Sequence, residues 1–196
     1  MEFEEVLRRR QMVRSFEDRP VPSEVVDRIV AGGLRAPSAG FSQGSEFLVL
    51  QGPEETNRYW DASFSTAADR QRFRRPGLLR APVLVLVFAN EDAYRDRYAE
   101  PDKGRPRDRP PWDVPYWFVD AGFSALLMLL GAVDAGLGAL FFVVAHPDRV
   151  AVAFGVPERF VPVGAVAVGY PAPDRPSPSL IRGRRPPSEV VHRGRW

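Results

Sequence analysis

Cysteine is absent from this 196-residue chain. Its absence excludes disulfides, a thiolate nucleophile and Cys-ligated zinc or iron–sulfur clusters, so redox chemistry here requires a bound cofactor. Lysine is nearly absent too, since Lys103 is the only one and the remaining positive side chains are arginine. Neither charge sign is in excess, with 27 basic against 25 acidic residues, and this balance points away from a nucleic-acid partner. The longest apolar stretch, Phe118 to Ala145, is interrupted by Asp120 and Asp134. The runs they leave are shorter than the roughly 20 residues that span a bilayer. The first ten residues, "MEFEEVLRRR", are acidic and amphipathic rather than a basic-then-apolar leader, so the expectation is a cytoplasmic protein without a membrane partner. Histidine is scarce as well. His146 and His192 each stand without a second ligand nearby, which makes structural roles the expectation and leaves no metal site.

What is present suits a globular fold: 44% of the residues are hydrophobic and 11% of the chain is aromatic. A chain of this length forms one domain, here residues 1–196, and buries roughly 70% of its unfolded surface. Phe3, Val6 and Leu7 fall on helical spacing behind Glu2, Glu4 and Glu5, giving a helix expected to end near Gln11. Ser23 reads as the N-cap of a second helix carrying Val25, Val26, Ile29, Val30 and Leu34 on one face and stopped by Pro37. After the loop "PSAGFSQGS", the segment "EFLVLQG" reads as a buried strand. Pro53 to about Arg74 has the pattern of an amphipathic helix using Trp60, Phe64, Ala67, Ala68 and Phe73. "APVLVLVFAN" then reads as a central strand covered on both faces.

Residues 99–115 carry five prolines and dense charge, which excludes helix and strand. The segment is either a connector or a lid, with Tyr94, Tyr98, Trp112, Tyr116 and Trp117 in or beside it, able to line a flat apolar pocket. Tyr116 to about Gly136 is an almost wholly apolar helix, so it must be buried in the core or at a subunit interface. "GLGALFFVVA" gives a strand, "HPDRVAVAFGVP" a helix and "VPVGAVAVGYP" a last core strand. Residues 172–196 form a Pro/Arg-rich tail whose Val190, Val191 and Trp196 call for a docking surface. Helices interleaved with about four strands indicate an α/β or α+β sandwich.

Two short motifs fail on context. Gly40-Phe41-Ser42-Gln43-Gly44 matches the G-x-S-x-G of serine hydrolases, but a helix precedes it and a strand follows, the reverse of what a nucleophile elbow requires. A triad of Ser42, an Asp and His146 or His192 is therefore weakly supported. The glycines of "GAVDAGLGA" follow a helix and do not spell G-x-G-x-x-G, which removes an ordinary dinucleotide-binding Rossmann domain.

Two arginine clusters remain, "RRRQMVR" and "RGRRP", and planar guanidinium groups suit phosphate. In order and spacing the chain resembles the nitroreductase family of FMN-dependent oxidoreductases. Arg10-Gln11-Met12-Val13-Arg14-Ser15-Phe16 aligns with a motif like R-R-S-x-R-x-F, and Ala36 to Phe47 aligns with A-P-S-x-x-N-x-Q-P-W-x-F. "DAG", "GLGA", "VGYP" and a closing R-x-R-x-P follow in register, so the resemblance runs from about residue 5 to the C-terminus.

The resemblance implies an α+β three-layer sandwich with a mixed central sheet, assembled as an intertwined homodimer with FMN at the interface. Arg10 and Arg14, with Gln11 and Met12 beside them, would hold the phosphate and ribityl side, and Arg182 and Arg184 would reach the same phosphate. Pro37, Ser38 and Ala39 of the partner chain would pack on the isoalloxazine ring, and the stretch Leu140, Phe141, Phe142 to Val143 would offer main-chain groups near flavin N5. Gln43 would shape the loop. NADPH or NADH would donate hydride, a small flat aromatic substrate such as a nitroaromatic or quinone would accept the electrons, and no side chain is expected to act as a catalytic acid or base. Phe41, Trp112 and Tyr116 are candidates for the substrate pocket. Met12, Phe41 and Gly44-Ser45 depart from the motifs, which leaves open a specialised flavin-cleaving enzyme, reductive dehalogenase or natural-product oxidase, or a non-catalytic flavin-binding protein.

Overall fold

The computed structural model describes residues 1–108, 112–175 and 177–196. The central strand β2 (Val83–Ala89) explains the architecture, because every one of its side chains is buried. Its sequence V-L-V-L-V-F-A alternates two apolar sets. Val83, Val85, Val87 and Ala89 join one core cluster, while Leu84, Leu86 and Phe88 join another. Successive strand residues point to opposite faces, so this strand has helices above and below it.

β1 (Ser45–Gln51) and β4 (Val161–Gly169) flank β2, and β3 (Gly138–Phe142) lies outside β4, giving the order β1-β2-β4-β3. All three pairings are antiparallel, so among the described residues the sheet is antiparallel where a mixed one was expected, and a parallel contact occurs only as the isolated bridge between Met12 and Ala139. A bulge between Val87 and Phe88 faces Pro162, whose missing N–H a regular ladder would not accommodate.

On one face lie α2 (Ser23–Gly33) and the long α6 (Tyr116–Asp134); on the other lie α3 (Pro53–Ser63) and α7 (Pro147–Phe154). The result is the expected three-layer α+β sandwich. α2 approaches α6 closely at Gly33, where a Cβ would stand 2.4 Å from the Met128 Cε.

Several local expectations change. α1 (Phe3–Arg9) ends two residues before Gln11, and the chain then runs extended beside β3. Ser23 is not an N-cap: it is the first helical residue, Pro22 holds the cap position, and the Ser23 hydroxyl faces Gln51. α2 ends at Gly33, ahead of Pro37, leaving Leu34 66% exposed. The helix expected over 53–74 is broken into α3 and the short α4 (Ala67–Gln71), because Thr66 caps a new start by accepting the Asp69 N–H at 3.1 Å. Ala67 and Ala68 are consequently exposed.

α5 (Glu91–Ala99) escapes the sequence reading although Asn90 caps it, accepting the Asp92 N–H at 3.1 Å. Ala99 closes α5, residues 100–115 hold neither helix nor strand among the described residues, and 109–111 of that loop lie outside them. α6 is not buried all round. By length and apolarity it could cross a membrane, yet 50% of that window is buried in this fold. Phe118, Val119, Phe123 and Leu126 stay exposed. The tail forms a 3₁₀ turn at Pro178–Arg182 and α8 (Pro187–Val190), and its described residues from Ser177 onward are almost wholly exposed.

Candidate functional site

The N-terminal arginine motif occupies the extended segment after α1. Arg10 closes that helix, its N–H donating to the Val6 carbonyl at 2.9 Å. Val13 N–H donates to the Ala139 carbonyl at 2.9 Å, which ties the segment to the start of β3. Alternation then separates the side chains. Gln11 and Val13 line a hollow of about 130 Å³ with Arg9, Leu137 and Gly138, whereas Arg14 opens into a larger cavity and donates to the Met12 carbonyl at 3.0 Å. The structure thus brings Arg14 and Met12 together and turns Gln11 elsewhere.

β3 is an edge strand, and the Ala139 carbonyl shows which groups face outward. In an antiparallel ladder alternate residues direct their main-chain groups away from the partner strand, so Phe141 presents its N–H and C=O to the open edge. The side chains of Leu140 and Phe142 belong to the core below, where the Phe142 ring stacks on Trp60 at 5.6 Å. Phe141 fills the space above Gly164, within 2.3 Å of where a Cβ would sit. The side chains of Leu140, Phe141 and Phe142 are thus packed, whereas that of Val143 is 78% exposed.

Pro37, Ser38 and Ala39 sit in the loop entering β1, at the opposite edge of the sheet. Three strand spacings, about 14 Å, separate the two edges. The loop is tightly fixed. Ala39 N–H donates to Asp120 Oδ2 at 2.8 Å, and the same oxygen accepts the Tyr94 hydroxyl at 2.7 Å. Ser38 Oγ accepts the Gln43 main-chain N–H at 3.0 Å, which closes the loop. Gly40, Phe41 and Gln43 all have positive φ, at 65°, 58° and 52°. For the two non-glycines this is a strained conformation, of the kind that clusters at ligand sites. Ser42 Oγ donates inward to the Ala39 carbonyl at 2.7 Å, while His146 pairs with Ser65 and His192 stacks on Trp196, so no triad forms.

Phe41 is 73% exposed above this loop. Trp112 packs edge-on against Tyr98 and Trp117, beneath the Arg105 guanidinium, and so braces the loop at Gly40 through Tyr98. Tyr116 is exposed at the start of α6. Burial and the bond to Asp120 push the Tyr94 hydroxyl well above its ordinary range, keeping it a donor. Arg182 and Arg184 are exposed in the tail.

A third arginine cluster does not stand out in the sequence, because Arg74 falls at the end of the expected helix and Arg75 and Arg80 lie between it and the next strand. Arg74, Arg75 and Arg80 meet Arg14 and Arg175 around a cavity of about 880 Å³. Gly77 makes the crossing feasible, since a Cβ there would meet Ser15 at 2.4 Å. Among the described residues no group of acidic or histidine side chains could hold a metal ion.

Guanidinium groups beside an open strand edge, within a three-layer α+β sandwich, form a donor set of the kind that suits an anion. Comparison with known proteins gives the class: residues 7–170 match the nitroreductase family, and the chain belongs to that family of oxidoreductases. The NADH dehydrogenase of Thermus thermophilus is 28% identical over 84% of this chain and 84% of its own length. The 5,6-dimethylbenzimidazole synthase of Rhodospirillum rubrum is 29% identical over 94% of this chain and 90% of its own. A crystal structure from Desulfovibrio desulfuricans, in complex with FMN, shares the fold with a TM-score of 0.73 at 24% identity, covering 100% of this chain and 98% of that one.

Proposed function

We propose that the protein is an FMN-dependent oxidoreductase that takes hydride from NADPH or NADH and reduces a flat, electron-poor acceptor such as a nitroaromatic or quinone. The observation that carries this reading is the open edge of β3 at Phe141 beside the Arg10–Arg14 segment. The donor set fits FMN: guanidinium groups for a phosphate, main-chain groups for the polar edge of a ring, and a pinned loop of small residues for its face. A relative's name, NADH dehydrogenase, and the FMN in a structure of the same fold support it. When bound, FMN supplies the redox chemistry, passing two electrons from the nicotinamide to the acceptor.

Arg10 and Arg14 bind the phosphate and ribityl side, with Met12 alongside. Phe141 and Val143 orient the ring through their main chains, and Pro37, Ser38 and Ala39 exclude water from its face. Because the last three stand at the far sheet edge, they serve the site of a second copy. A homodimer is supported by the exposed apolar face of α6 and by the tail, where Leu180, Ile181 and Trp196 are 71%, 88% and 99% exposed. The tail carries Arg182 and Arg184 to the phosphate across that interface, and the loop residues 100–108 and 112–115 cover the acceptor as a lid.

The test is the visible spectrum of the purified protein under anaerobic conditions, before and after NADH or NADPH. Bound yellow flavin bleached by a nucleotide is expected; a colourless protein that takes up no added FMN overturns the reading. Arg184→Ala is expected to weaken FMN retention about tenfold or more while the fold persists, because it removes a charge-assisted contact from an exposed position. Unchanged FMN affinity would refute the role of Arg184.

A further inference from the structure

We propose that Tyr98 and Trp112 are positioning residues for the acceptor: by bracing Gly40 they hold Phe41 in its strained, outward posture, so the segment of Trp112 and the loop of Phe41 respond to the acceptor as one unit. This rests on the lid reading given above. Among the described residues three non-glycines have positive φ, and two of them, Phe41 and Gln43, lie in this one short loop. Such conformations persist only where the surroundings over-determine them. The surroundings here are two tyrosines of α5.

Tyr94 and Tyr98 are four residues apart and so share one side of α5. Each closes on a glycine. A Cβ at Gly44 would lie 2.5 Å from the Tyr94 ring, and one at Gly40 would lie 2.6 Å from the Tyr98 ring, so both ends of the loop rest on aromatic faces. Two tryptophans complete the support. Trp112 meets Tyr98 edge-on with ring centroids 5.2 Å apart and Trp117 with centroids 6.0 Å apart, and Trp117 meets Tyr94 at 6.1 Å. Four rings thus run unbroken from one end of the loop to the other. Edge-to-face contact is a preferred ring geometry, so each ring sets the place of the next.

The same helix carries the segment that follows it. Arg105 N–H donates to the Tyr98 carbonyl at 2.8 Å, Arg97 makes two bonds of 2.7 Å to Asp102, and Arg107 pairs with Asp92 at 2.9 Å. Residues 102–107 are thereby fixed to α5, and Trp112 reaches back to it through Tyr98. A bulky acceptor that displaces Trp112 withdraws the edge from the Tyr98 ring, which frees Gly40 and lets Phe41 relax. A small one leaves Trp112 in place and meets Phe41 as it stands, 73% exposed. Because both loops lean on one support, a change at either biases the other.

The first arm of the experiment needs no flavin. The amides of Phe41, Ser42 and Gln43 donate to the Ser38 carbonyl at 2.9 Å, the Ala39 carbonyl at 3.2 Å and Ser38 Oγ at 3.0 Å, so their hydrogen exchange reports on the loop. Trp112→Ala is expected to speed that exchange about tenfold while the amides of β2 keep their rates. Trp112→Leu, which keeps apolar bulk without the ring edge, is expected to act in the same direction and serves if Trp112→Ala does not fold. Unchanged exchange overturns the proposal, and so does an equal rise in β2, which would mark a general loss of stability. The second arm uses the FMN-loaded protein with NADH or NADPH. The kcat/KM for nitronaphthalene relative to nitrobenzene is expected to shift about fivefold or more in Trp112→Ala and in Tyr98→Ala, the change lying in KM, with Tyr98→Phe retaining the native ratio. Adding Trp112→Ala to Phe41→Ala should shift the ratio no further, since Phe41 is the residue that the brace acts through. Additive shifts, or a Tyr98→Phe variant that behaves like Tyr98→Ala, overturn the proposal. A protein that binds no FMN defeats the redox reading instead, and the exchange rates still decide the brace.

Discussion

At the scale of single residues, Asp120 does more than its place in an apolar helix suggests. It is 4% exposed and accepts two hydrogen bonds on one oxygen, which joins α6, α5 and the loop of Pro37 to Ala39. Asp120→Ala leaves the Ala39 N–H and the Tyr94 hydroxyl without a partner. The expected cost is about 2–4 kcal/mol by urea unfolding, with a parallel loss of FMN retention; Asp120→Asn, which keeps an acceptor oxygen, should recover most of it. Gly40 is constrained twice, by a φ of 65° and by the Tyr98 ring 2.6 Å from where a Cβ would lie. Gly40→Ala is therefore expected to lower stability by at least about 1–2 kcal/mol, read from the same unfolding curves. Phe41, the motif departure, is held at positive φ with its ring outward, so strain and exposure coincide at the residue proposed to meet the substrate.

Secondary-structure elements show what a one-dimensional reading captures and what it loses. Thr66 accepts the Asp69 N–H and donates to the Asp69 carboxylate at 2.8 Å, and Thr66→Ala should cost about 1 kcal/mol, seen as a lower unfolding midpoint. That cap was legible in principle, as was the Asn90 cap of α5, but the long amphipathic pattern of 53–74 masked the first and the neighbouring proline-rich loop the second. The strands were legible because periodicity is a local signal: β2 reads as central from its uninterrupted Val and Leu run. The candidate site was legible only in part. Arg10, Arg14 and the 37–39 loop stand out as motifs, whereas the large cavity joins Arg14, Arg74, Arg80 and Arg175 from three distant segments. No spacing rule encodes that meeting. The open edge of β3 is equally hidden, since strand order is a property of the assembled sheet.

For the whole molecule, buried tyrosines set the alkaline limit. Burial raises the Tyr59 hydroxyl to about 12, partly offset by Ser63. A group whose proton is held more tightly in the folded state contributes fully below its unfolded value near 10 and loses that contribution as pH rises further. Stability should thus be level up to about pH 10 and then fall, Tyr59 contributing about 1.4 kcal/mol per unit between 10 and 12 and Tyr94 a similar share, so Tyr59→Phe should roughly halve that slope in denaturant titrations. The near-absence of two residue types also has a practical side. Lys103 is exposed and rests over the Tyr98 ring at 5.6 Å, and Tyr98 in turn lies against Gly40. With one lysine and no cysteine, the molecule offers a single side-chain amine for a fluorophore, already seated beside the strained loop, and any cysteine introduced elsewhere becomes a second, chemically orthogonal address. A dye pair placed in this way can follow loop movement as flavin and nucleotide arrive, without first stripping the surface of competing groups.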